Sequence, residues 1–288
     1  MGSAPAFPEP DMRRLGASEP SALKSEALHR VLRDLDRVVV AFSGGADSAL
    51  LAHAAHTLLG PDRVHVVTAV SPSLAGDERA DAAALADEWG LRWSAVETDE
   101  MTHAAYRAND ADRCAHCKEA LMDVLAPIAA AESATVVLGV NVDDLGDHRP
   151  GQKAAADRGA RFPLVEAGLT KDDVRARSRA LGLRTADKPA AACLASRVPY
   201  GTEVTVGVLS GVERAEAALR RLGFDGLRVR HYDDTARIEV PTDRLADVVE
   251  RRDAVVAAVT SSGYLYVTLD LEGLRSGNLN AALGPDGA

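Results

Sequence analysis

The stretch at residues 37–48, RVVVAFSGGADS, decides the fold of this chain. Its first half is an apolar run with the length and composition of a strand that is buried on both faces. A helical pattern follows over residues 48–59, so the glycine pair lies in the turn between the two elements. Glycine lets a backbone turn tightly and approach a ligand, and the N–H groups at a helix start attract anions. The stretch therefore predicts a strand, a phosphate-binding turn and a helix in succession.

Short apolar runs alternate with helical patterns on both sides of this unit. Such alternation predicts an α/β fold in which helices cover both faces of a parallel, doubly wound sheet. Ligands of these sheets bind beyond the carboxyl ends of the strands. The expected strands are residues 37–42, 64–70, 92–97 and 135–140, and the expected helices are residues 48–59, 77–89, 118–131 and 170–181.

The pattern changes at residues 187–201, which are rich in Pro and Ala and irregular. We place a domain boundary in this segment and expect a smaller α+β domain after it, with a hairpin at Asp233 and Asp234. Its expected helices are residues 206–222 and 243–259, and its expected strands are residues 227–231, 237–240 and 264–269. The chain is thus predicted to comprise a disordered N-terminus (1–20), a nucleotide-binding domain (21–190) and a C-terminal substrate-binding and sulfur-transfer domain (191–288).

Composition narrows the class of protein. With 288 residues, 47% of them hydrophobic, the chain can bury the core of one large domain or two modest ones. The formal net charge of −10 argues against sequence-independent binding of nucleic acid, whose affinity comes from neutralising phosphates with Lys and Arg. No apolar run approaches the roughly 20 residues of a membrane span, and the first residues lack an apolar signal core. We therefore expect a cytoplasmic protein that binds neither membrane nor nucleic acid.

The turn at residues 43–48, SGGADS, differs from the common phosphate motifs. It lacks the Gly-Lys-Ser/Thr of a Walker A loop, and it is not the GxGxxG of dinucleotide-binding proteins. A plain strand-to-helix turn capped by a serine is the alternative. The whole string nevertheless resembles the PP-loop of ATP pyrophosphatases, which implies ATP binding and pyrophosphate release. By this resemblance the pyrophosphate is held by Ser43, Gly44, Gly45, Asp47 and Ser48.

A second polar segment follows the predicted strand at residues 135–140. It contains Asp143 and Asp144, which we expect at the same sheet edge as the phosphate turn. Mg²⁺ bound with nucleotides takes one or two protein carboxylates together with phosphate oxygens. The pair therefore predicts a contact to Mg²⁺ or to the nucleotide, with an Asx turn or helix cap as the alternative.

Three cysteines carry the remaining chemistry. An odd number is no disulfide framework, and Cys114 and Cys117 form a CxxC pair. Such a pair is typical of a redox couple, of half a zinc site completed by Cys193 and a histidine, or of two ligands of an iron–sulfur cluster. Buried, inert thiols are the alternative. The cations Lys188 and Arg197 are close to Cys193 in sequence and would favour its nucleophilic thiolate.

These motifs, together with strings along almost the whole chain, resemble the LarE family of ATP-dependent sulfur transferases. The generic match is the PP-loop, whereas the strings after the domain boundary are specific to this family. The matching strings are residues 43–48, 112–118, 139–151, 187–201, 228–230, 236–240 and 270–278.

The resemblance implies a function in the biosynthesis of the nickel-pincer nucleotide cofactor. ATP would adenylate a carboxylate of a pyridinium biscarboxylate mononucleotide, and sulfur would then convert it to a thiocarboxylate. In one branch of the family a cysteine that matches Cys193 gives up its own sulfur. In another branch three cysteines hold a [4Fe–4S] cluster. Because this chain has Cys114, Cys117 and Cys193, it is similar to the cluster branch.

The family pattern also implies residues that bind the substrates. Lys188 joins the nucleotide-binding set. Arg228 and Arg230 alternate on a predicted strand and so project from one face, where guanidinium groups bind phosphate well. Acidic residues would orient these arginines or bind metal, although a solvated strand face with surface ion pairs is the alternative. The implied substrate-binding residues are Ser196, Arg228, Arg230, Glu216, Glu239, Asp247 and Arg275.

Three other functions remain open at this stage. A PP-loop tRNA thiolase with a three-cysteine cluster would need a surface for nucleic acid. An amide-forming enzyme similar to NAD synthetase would need an ammonia source and no cysteine. A non-catalytic module would bind ATP without releasing pyrophosphate. The resemblance further implies a homo-oligomer, while the sulfur donor is not identified by any motif.

Overall fold

The computed structural model describes residues 19–145, 150–189, 192–275 and 278–279. The chain divides into two units by its internal contacts, and unit 2 includes two short segments from the first half of the sequence. The domain boundary predicted at residue 190 remains a prediction. The disorder predicted for residues 1–20 concerns, as far as residue 18, a segment outside the described residues. Unit 1 comprises Met1–Val70, Gly76–Thr98 and Cys114–Ala191, and unit 2 comprises Ser71–Ala75, Asp99–Arg113 and Ala192–Ala288.

Unit 1 is built on a parallel sheet. Its four strands lie in the order β3-β2-β1-β4, and every neighbouring pair is parallel. This order places β1, which carries the phosphate turn, in the interior of the sheet between β2 and β4. The predicted α/β fold with a parallel sheet is confirmed. The strands are β1 (Val38–Ala41), β2 (Val64–Val70), β3 (Trp93–Glu97) and β4 (Thr135–Leu138).

The helices of unit 1 include several that the sequence patterns did not predict. The first helix begins at Glu19, and its Leu28 and Leu32, four residues apart, are completely buried. This spacing is the helical signal that could have revealed it. The helices are α1 (Glu19–Leu35), α2 (Ala46–Leu59), α3 (Gly76–Glu88), α5 (Arg113–Ala131), α6 (Pro150–Asp157), α7 (Pro163–Glu166) and α8 (Lys171–Ala180); α4 (Ala104–Ala108) belongs to unit 2.

Successive residues of β1 face two different hydrophobic clusters. Val38 and Val40 pack with residues of α1, α2, α3 and α8, whereas Val39 packs with residues of α5 and α6. Side chains alternate between the faces of a strand, so helices on both sides bury both faces of β1. This explains why the strand is an unbroken run of apolar residues.

Two element ends differ from the predictions in ways that bear on function. Helix α5 begins five residues earlier than expected, so Cys114 and Cys117 lie in its first turn, and it continues through Pro127. Strand β4 ends at Leu138, before the two residues predicted to extend it. Helix α8 begins as predicted, because Thr170 and Asp173 form a capping box with reciprocal bonds of 2.9 and 3.2 Å.

Unit 2 contains a three-stranded sheet that packs on helices. Strands β5 and β6 form the predicted antiparallel hairpin, and Asp233 occupies its turn with a positive φ of 49°. Strand β7 pairs with β6 in parallel. Residues of α9, α10 and α11 cover the sheet in one hydrophobic cluster. The elements are α9 (Val206–Arg221), β5 (Arg228–Tyr232), β6 (Thr235–Glu239), α10 (Leu245–Glu250), α11 (Arg252–Thr260) and β7 (Tyr266–Leu269).

The single helix predicted over residues 243–259 is wrong. The structure has two short helices that meet at Arg251, whose φ and ψ of −99° and 21° leave the helical region. The guanidinium of Arg251 donates to Leu222 O at 2.7 Å and lies over the ring of Phe224. The helix therefore breaks at the residue whose side chain makes these tertiary contacts, Arg251, although no Gly or Pro in the sequence marks the break.

In the part of the chain that the structure describes, no helix is both long enough and apolar enough to cross a membrane.

Histidine burial in unit 1 gives a prediction about acid stability. Burial, reinforced by the charges of His56 and Arg177, lowers the pKa of His53 from 6.5 to about 4. The unfolded chain therefore takes up a proton at this position before the folded chain does. The associated stability is complete above pH 6.5, is lost as the pH falls toward 4, and amounts to at most about 3 kcal/mol.

We expect the His53→Gln variant to lose less stability than the parent between pH 7 and pH 4. Urea unfolding at a series of pH values measures this slope. His103→Gln is the matched control, since the His103 side chain is half exposed, and its slope should equal that of the parent. If the free energy of unfolding depended on pH equally in the parent and in His53→Gln, the assignment of this dependence to His53 would be contradicted.

Candidate active site

The phosphate turn lies between β1 and α2, as the sequence predicted. Gly45 occupies the N-cap position of α2, and no side chain caps the helix there. The first N–H groups of a helix have no intrahelical acceptor, so an uncapped start is suited to bind an anion. Two hydroxyls complete the turn, because Ser43 Oγ and Ser48 Oγ lie 3.0 Å apart and Ser43 N donates to Ser48 Oγ at 3.2 Å.

Two glycines allow the backbone to pack tightly around this turn. Gly44 has a positive φ of 70°, and a Cβ there would lie 3.3 Å from Ala82 of α3. At Gly139, just after β4, a Cβ would lie only 2.6 Å from Ser48 N. Any larger residue at position 139 would collide with the backbone of α2, so β4 can approach the turn only because a glycine ends it. No role at the site was predicted for Gly139 from the sequence.

The segment after β4 is bonded directly to the phosphate turn. Asn141 is the residue responsible, because its Nδ2 donates to Asp47 Oδ1 at 2.9 Å, and its Oδ1 accepts from the backbone of Asp143 at 3.0 Å. Asp144 accepts from Asn141 N at 3.2 Å, and Asp143 accepts from Lys171 N, at the start of α8, at 2.6 Å. Both predicted carboxylates are therefore held by backbone N–H groups beside the turn. Asn141 was not predicted as a site residue from the sequence.

Asp47 has an unusual environment for a carboxylate. Burial raises its pKa, the hydrogen bond from Asn141 opposes this effect, and the negative charge of Asp144 adds to it. The carboxyl group is thus less readily ionised than that of an exposed aspartate.

Lys188 reaches the phosphate turn from the segment after α8. Its Nζ donates to Gly44 O at 3.2 Å and to two carboxylates of α3, Glu78 at 2.7 Å and Asp81 at 2.6 Å. The structure therefore brings Lys188 to the predicted nucleotide-binding residues. Its two acidic partners were not predicted from the sequence.

Cys114 and Cys117 occupy the first turn of α5 in unit 1. Neither is in a disulfide, and the first is exposed and the second half-buried. Residues three apart on a helix lie on the same face, so the pair can bind one ligand together. A Cβ at Gly151 of α6 would lie 2.7 Å from Cys114 O, so α6 packs closely on this turn. The pair is therefore not buried as an inert part of the core.

Cys193 is an exposed free thiol in unit 2, at the start of a short 3-10 turn. Its carbonyl accepts from the Ser196 hydroxyl at 2.7 Å and from Ser196 N at 3.0 Å. The next residue, Leu194, is buried and donates its N–H to Ser73 O at 2.8 Å. The backbone of Cys193 is thus fixed while its side chain is accessible.

Arg113 joins this turn to the segment that leads into the CxxC pair. Within unit 2 its guanidinium donates to Asn109 Oδ1 at 2.5 Å and to Ala195 O at 2.9 Å, and it lies over the ring of Tyr200. Arg113 immediately precedes Cys114 in the chain. It is a buried arginine whose role the sequence did not reveal.

A buried ion pair underlies the Cys193 turn. Arg197 binds Glu216 of α9 through two bonds, of 2.8 and 3.1 Å, and also donates to Cys193 O at 3.2 Å. Glu216 accepts further bonds from Val229 N at 3.0 Å and from Arg220 at 2.9 Å. Glu216 was expected to orient Arg228 or Arg230, and the structure pairs it with other arginines. The positive charge of Arg197 is matched by Glu216 and directed to backbone carbonyls.

A second buried pair lies on the sheet of unit 2. Arg230 donates to Glu239 Oε2 at 2.8 Å and to Ser196 O at 2.8 Å, so it links the strand to the Cys193 turn. Arg228, on the same face of β5, donates to Arg275 O at 3.4 Å. Burial, together with the charges of Arg197 and Arg230, lowers the pKa of Arg228. This clustering of positive charge is suited to an anionic ligand.

The remaining predicted residues take part in exposed interactions. Asp247 pairs with Arg244 three residues earlier at 2.7 Å, which ties it to its own helix rather than to the arginines of β5. Arg275 pairs with Glu272 at 2.6 Å and also donates to Asn278. In turn Asn278 donates to the buried Glu239 at 2.6 Å, so Arg275 is connected to Arg230 through side chains.

Within the ranges that the structure covers, no three His, Cys, Asp or Glu side chains converge so that they could hold a metal ion. The CxxC pair of unit 1 therefore provides two of the three cysteine ligands that were predicted for the cluster.

Known proteins are similar to this chain over part or nearly all of its length. The NAD synthase family matches residues 26–125, which include the phosphate turn and the first turn of α5. The uncharacterized protein slr1717 of Synechocystis sp. is 47% identical over 263 residues, 90% of this chain and 98% of that protein. The uncharacterized protein MJ0830 of Methanocaldococcus jannaschii is 25% identical over 83% of this chain and 91% of its own length.

A further relative carries a functional name. The pyridinium-3,5-bisthiocarboxylic acid mononucleotide synthase of Lactiplantibacillus plantarum is 41% identical over 263 residues, which cover 91% of this chain and 95% of that enzyme. The similarity thus covers nearly the full length of both chains. The chain therefore belongs to the LarE family, within the PP-loop superfamily.

Proposed function

We propose that this protein is an ATP-dependent sulfur transferase that converts carboxylates of a pyridinium-3,5-biscarboxylic acid mononucleotide to thiocarboxylates. The observation that carries the proposal is the 41% identity, over nearly both full lengths, to the synthase of that product in L. plantarum. The uncapped phosphate turn and the exposed Cys193 thiol supply the two chemical functions that this reaction needs. The product would serve the biosynthesis of the nickel-pincer nucleotide cofactor.

The first step is adenylation of the substrate. A carboxylate oxygen attacks the α-phosphorus of ATP, the bond between the α- and β-phosphates breaks, and pyrophosphate leaves. The N–H groups at the start of α2 and the Ser43 and Ser48 hydroxyls would hold the departing pyrophosphate. Lys188, next to Gly44, would neutralise part of its negative charge.

Mg²⁺ fits the carboxylates beside the turn. Asp143 and Asp144 each accept one backbone N–H, which orients the group as outer hydrogen bonds commonly orient metal ligands. These two residues would hold Mg²⁺, which would neutralise phosphate charge when bound.

The second step forms the carbon–sulfur bond. A sulfur nucleophile attacks the acyl carbon of the adenylate, and AMP leaves with the bonding electrons. We place this step at Cys193, because its backbone is fixed and its side chain is exposed. The attacking sulfur is either the Cys193 thiol itself, whose Cβ–Sγ bond must then break with loss of the α-proton to release the thiocarboxylate, or a sulfide delivered at a site where Cys193 is a ligand. Arg228, Arg230 and Ser196 would bind the substrate phosphate in unit 2, with Glu239 positioning Arg230.

A [4Fe–4S] cluster is the proposed cofactor of the thiols. The donor chemistry fits, because none of the three cysteines is in a disulfide and two of them share one face of a helix turn. Cys114, Cys117 and Cys193 would hold it, and when bound it would supply sulfide for transfer. Protein purified without oxygen should then be brown and contain iron and sulfide, whereas a colourless preparation with stoichiometric zinc would contradict the cluster.

The function is tested by incubating the purified protein with ATP, Mg²⁺, a sulfide source and the biscarboxylic acid mononucleotide. We expect release of AMP and pyrophosphate and a product in which sulfur replaces a carboxylate oxygen, detected by mass spectrometry. Omitting ATP should abolish both results.

Parallel reactions with other acceptors separate the rival functions. Ammonia with a nicotinate dinucleotide tests amide formation, as in NAD synthetase, and unmodified tRNA tests thiolation of nucleic acid. Thiocarboxylate from the mononucleotide alone supports the proposal. Amide formation, or thiolated tRNA, without thiocarboxylate would overturn it.

A further inference from the structure

A cluster of opposite charges lies against the phosphate turn in unit 1. Lys188 Nζ donates to Glu78 Oε2, Asp81 Oδ2 and Gly44 O at 2.7, 2.6 and 3.2 Å. An ammonium group has three N–H donors, so its whole capacity is used by these acceptors. Ala82, the residue after Asp81, packs against the turn, because a Cβ at Gly44 would lie in a tight contact of 3.3 Å with it. Helix α3 therefore fixes both the shape of the turn and the cation beside it.

One of the two carboxylates, Asp81, is itself held in place. Asp81 also accepts from Arg184 at 2.6 Å, and Arg184 donates in addition to Glu88 at 2.9 Å. The Lys188 side chain is only 17% exposed, so its charge depends on partners in the protein. An exposed lysine with one acidic neighbour would contribute little, whereas a half-buried ammonium with three acceptors has a defined position.

We infer that Glu78 and Asp81 are positioning residues, which hold the charged ammonium of Lys188 at the phosphate turn ready for a nucleotide phosphate. The inference rests on the proposed function only in taking ATP as the ligand of the turn. Nucleotide phosphates would replace one of the three acceptors while the other two keep the ammonium in place. The alternative is an ion-pair cluster that only stabilises the fold.

The charges around Lys188 make the inference testable through pH. Burial lowers the pKa of Lys188, but the hydrogen bonds and charges of Asp81 and Glu78 outweigh burial and raise it. Among the other charged groups of these elements, Arg184 pairs with Asp81 and Glu88, and Asp187 pairs with Arg179. Removing both carboxylates leaves burial as the main influence. The ammonium should then lose its proton at a lower pH.

The experiment measures ATP affinity of the full-length protein by calorimetry across neutral to alkaline pH. Glu78→Gln combined with Asp81→Asn should weaken ATP binding about tenfold at neutral pH, the loss expected for a charge-assisted hydrogen bond that is no longer positioned. Its affinity should also decline at a lower pH than that of the parent. In a Lys188→Met background the same two substitutions should cause no further loss, because they act through Lys188.

Two further variants guard against a loss of folding. Asp87→Asn removes an exposed carboxylate of the same helix that lies outside this cluster, so ATP affinity should equal that of the parent. Asp81→Glu keeps the charge and should restore most of the affinity lost with Asp81→Asn. Circular dichroism and thermal unfolding check that each variant is folded.

Unchanged ATP affinity in the double variant would overturn the inference, as would a full additional loss in the Lys188→Met background. A parent protein that binds no ATP would overturn the inference and the proposed function together. Normal ATP binding and the expected coupling, without thiocarboxylate formation, would support the inference and overturn the proposed function alone.

Discussion

Replacing Cys193 with alanine should abolish sulfur transfer and leave pyrophosphate release intact. The thiol is exposed and lies in unit 2, whereas the phosphate turn that would hold ATP lies in unit 1. Adenylation uses no sulfur, so the variant should still consume ATP in the presence of the mononucleotide. Thiocarboxylate formation should fall by on the order of 10³-fold or more, as expected when the attacking group of a covalent mechanism is removed. Assays of pyrophosphate and of thiocarboxylate on the same samples measure both effects.

The same cysteine also distinguishes two sources of sulfur. If Cys193 gives up its own sulfur, its Cβ–Sγ bond breaks with loss of the α-proton, and the protein mass falls by one H₂S. If the thiol only holds or relays sulfur, the mass after one turnover is unchanged. Cys114→Ala and Cys117→Ala should spare transfer in the first case and abolish it in the second. Sulfur transfer by Cys193→Ala at the rate of the parent would contradict both mechanisms.

Replacing Glu216 with glutamine should destabilise unit 2 by about 3–5 kcal/mol, because it leaves a buried guanidinium without its carboxylate. The Arg197 and Glu216 side chains are only 8% and 1% exposed, and Glu216 accepts bonds from three separate residues. Glutamine has nearly the same shape, so the loss would report charge rather than packing. Urea unfolding measures the change in the free energy of unfolding.

Two comparisons show whether charge is the cause. Asp247→Asn breaks a half-exposed pair with Arg244 in the same unit and should cost less than about 1 kcal/mol. Replacing Arg197 and Glu216 together with methionine removes both charges, and this variant should be more stable than Glu216→Gln alone. If Glu216→Gln lowered the free energy of unfolding by less than Asp247→Asn does, the buried pair would not stabilise unit 2.

The strand–turn–helix at the centre of unit 1 was predictable because its signals are local. An apolar run before the glycine pair and a helical pattern after it predicted β1, the turn and α2 to within two residues. The helix predicted over residues 170–181 was equally local and is confirmed, and a capping box at Thr170 begins it. In contrast, the break at Arg251 accompanies contacts with Leu222 and Phe224, which no window of the sequence contains.

The predicted site residues show the same division. Residue types at a sheet edge indicated which side chains could bind phosphate, but not their partners. That Asn141 bonds Asp47, or that Glu78 and Asp81 hold Lys188, depends on bonds between residues about 94 to 110 positions apart in the chain. Glu216 was predicted to orient the arginines of β5 or to bind metal; it accepts from Val229 N of that strand, but its guanidinium partners are Arg197 and Arg220.

The sequence by itself determined the α/β fold of unit 1, the phosphate turn and the three thiols, because these depend on local periodicity, glycine conformations and residue chemistry. Tertiary structure alone decided which charges are paired, which backbone groups hold the Cys193 turn and why Gly139 must lack a side chain. These properties depend on distances between residues remote in sequence, and the free energy of a charge or hydrogen bond is fixed by its burial and its partner.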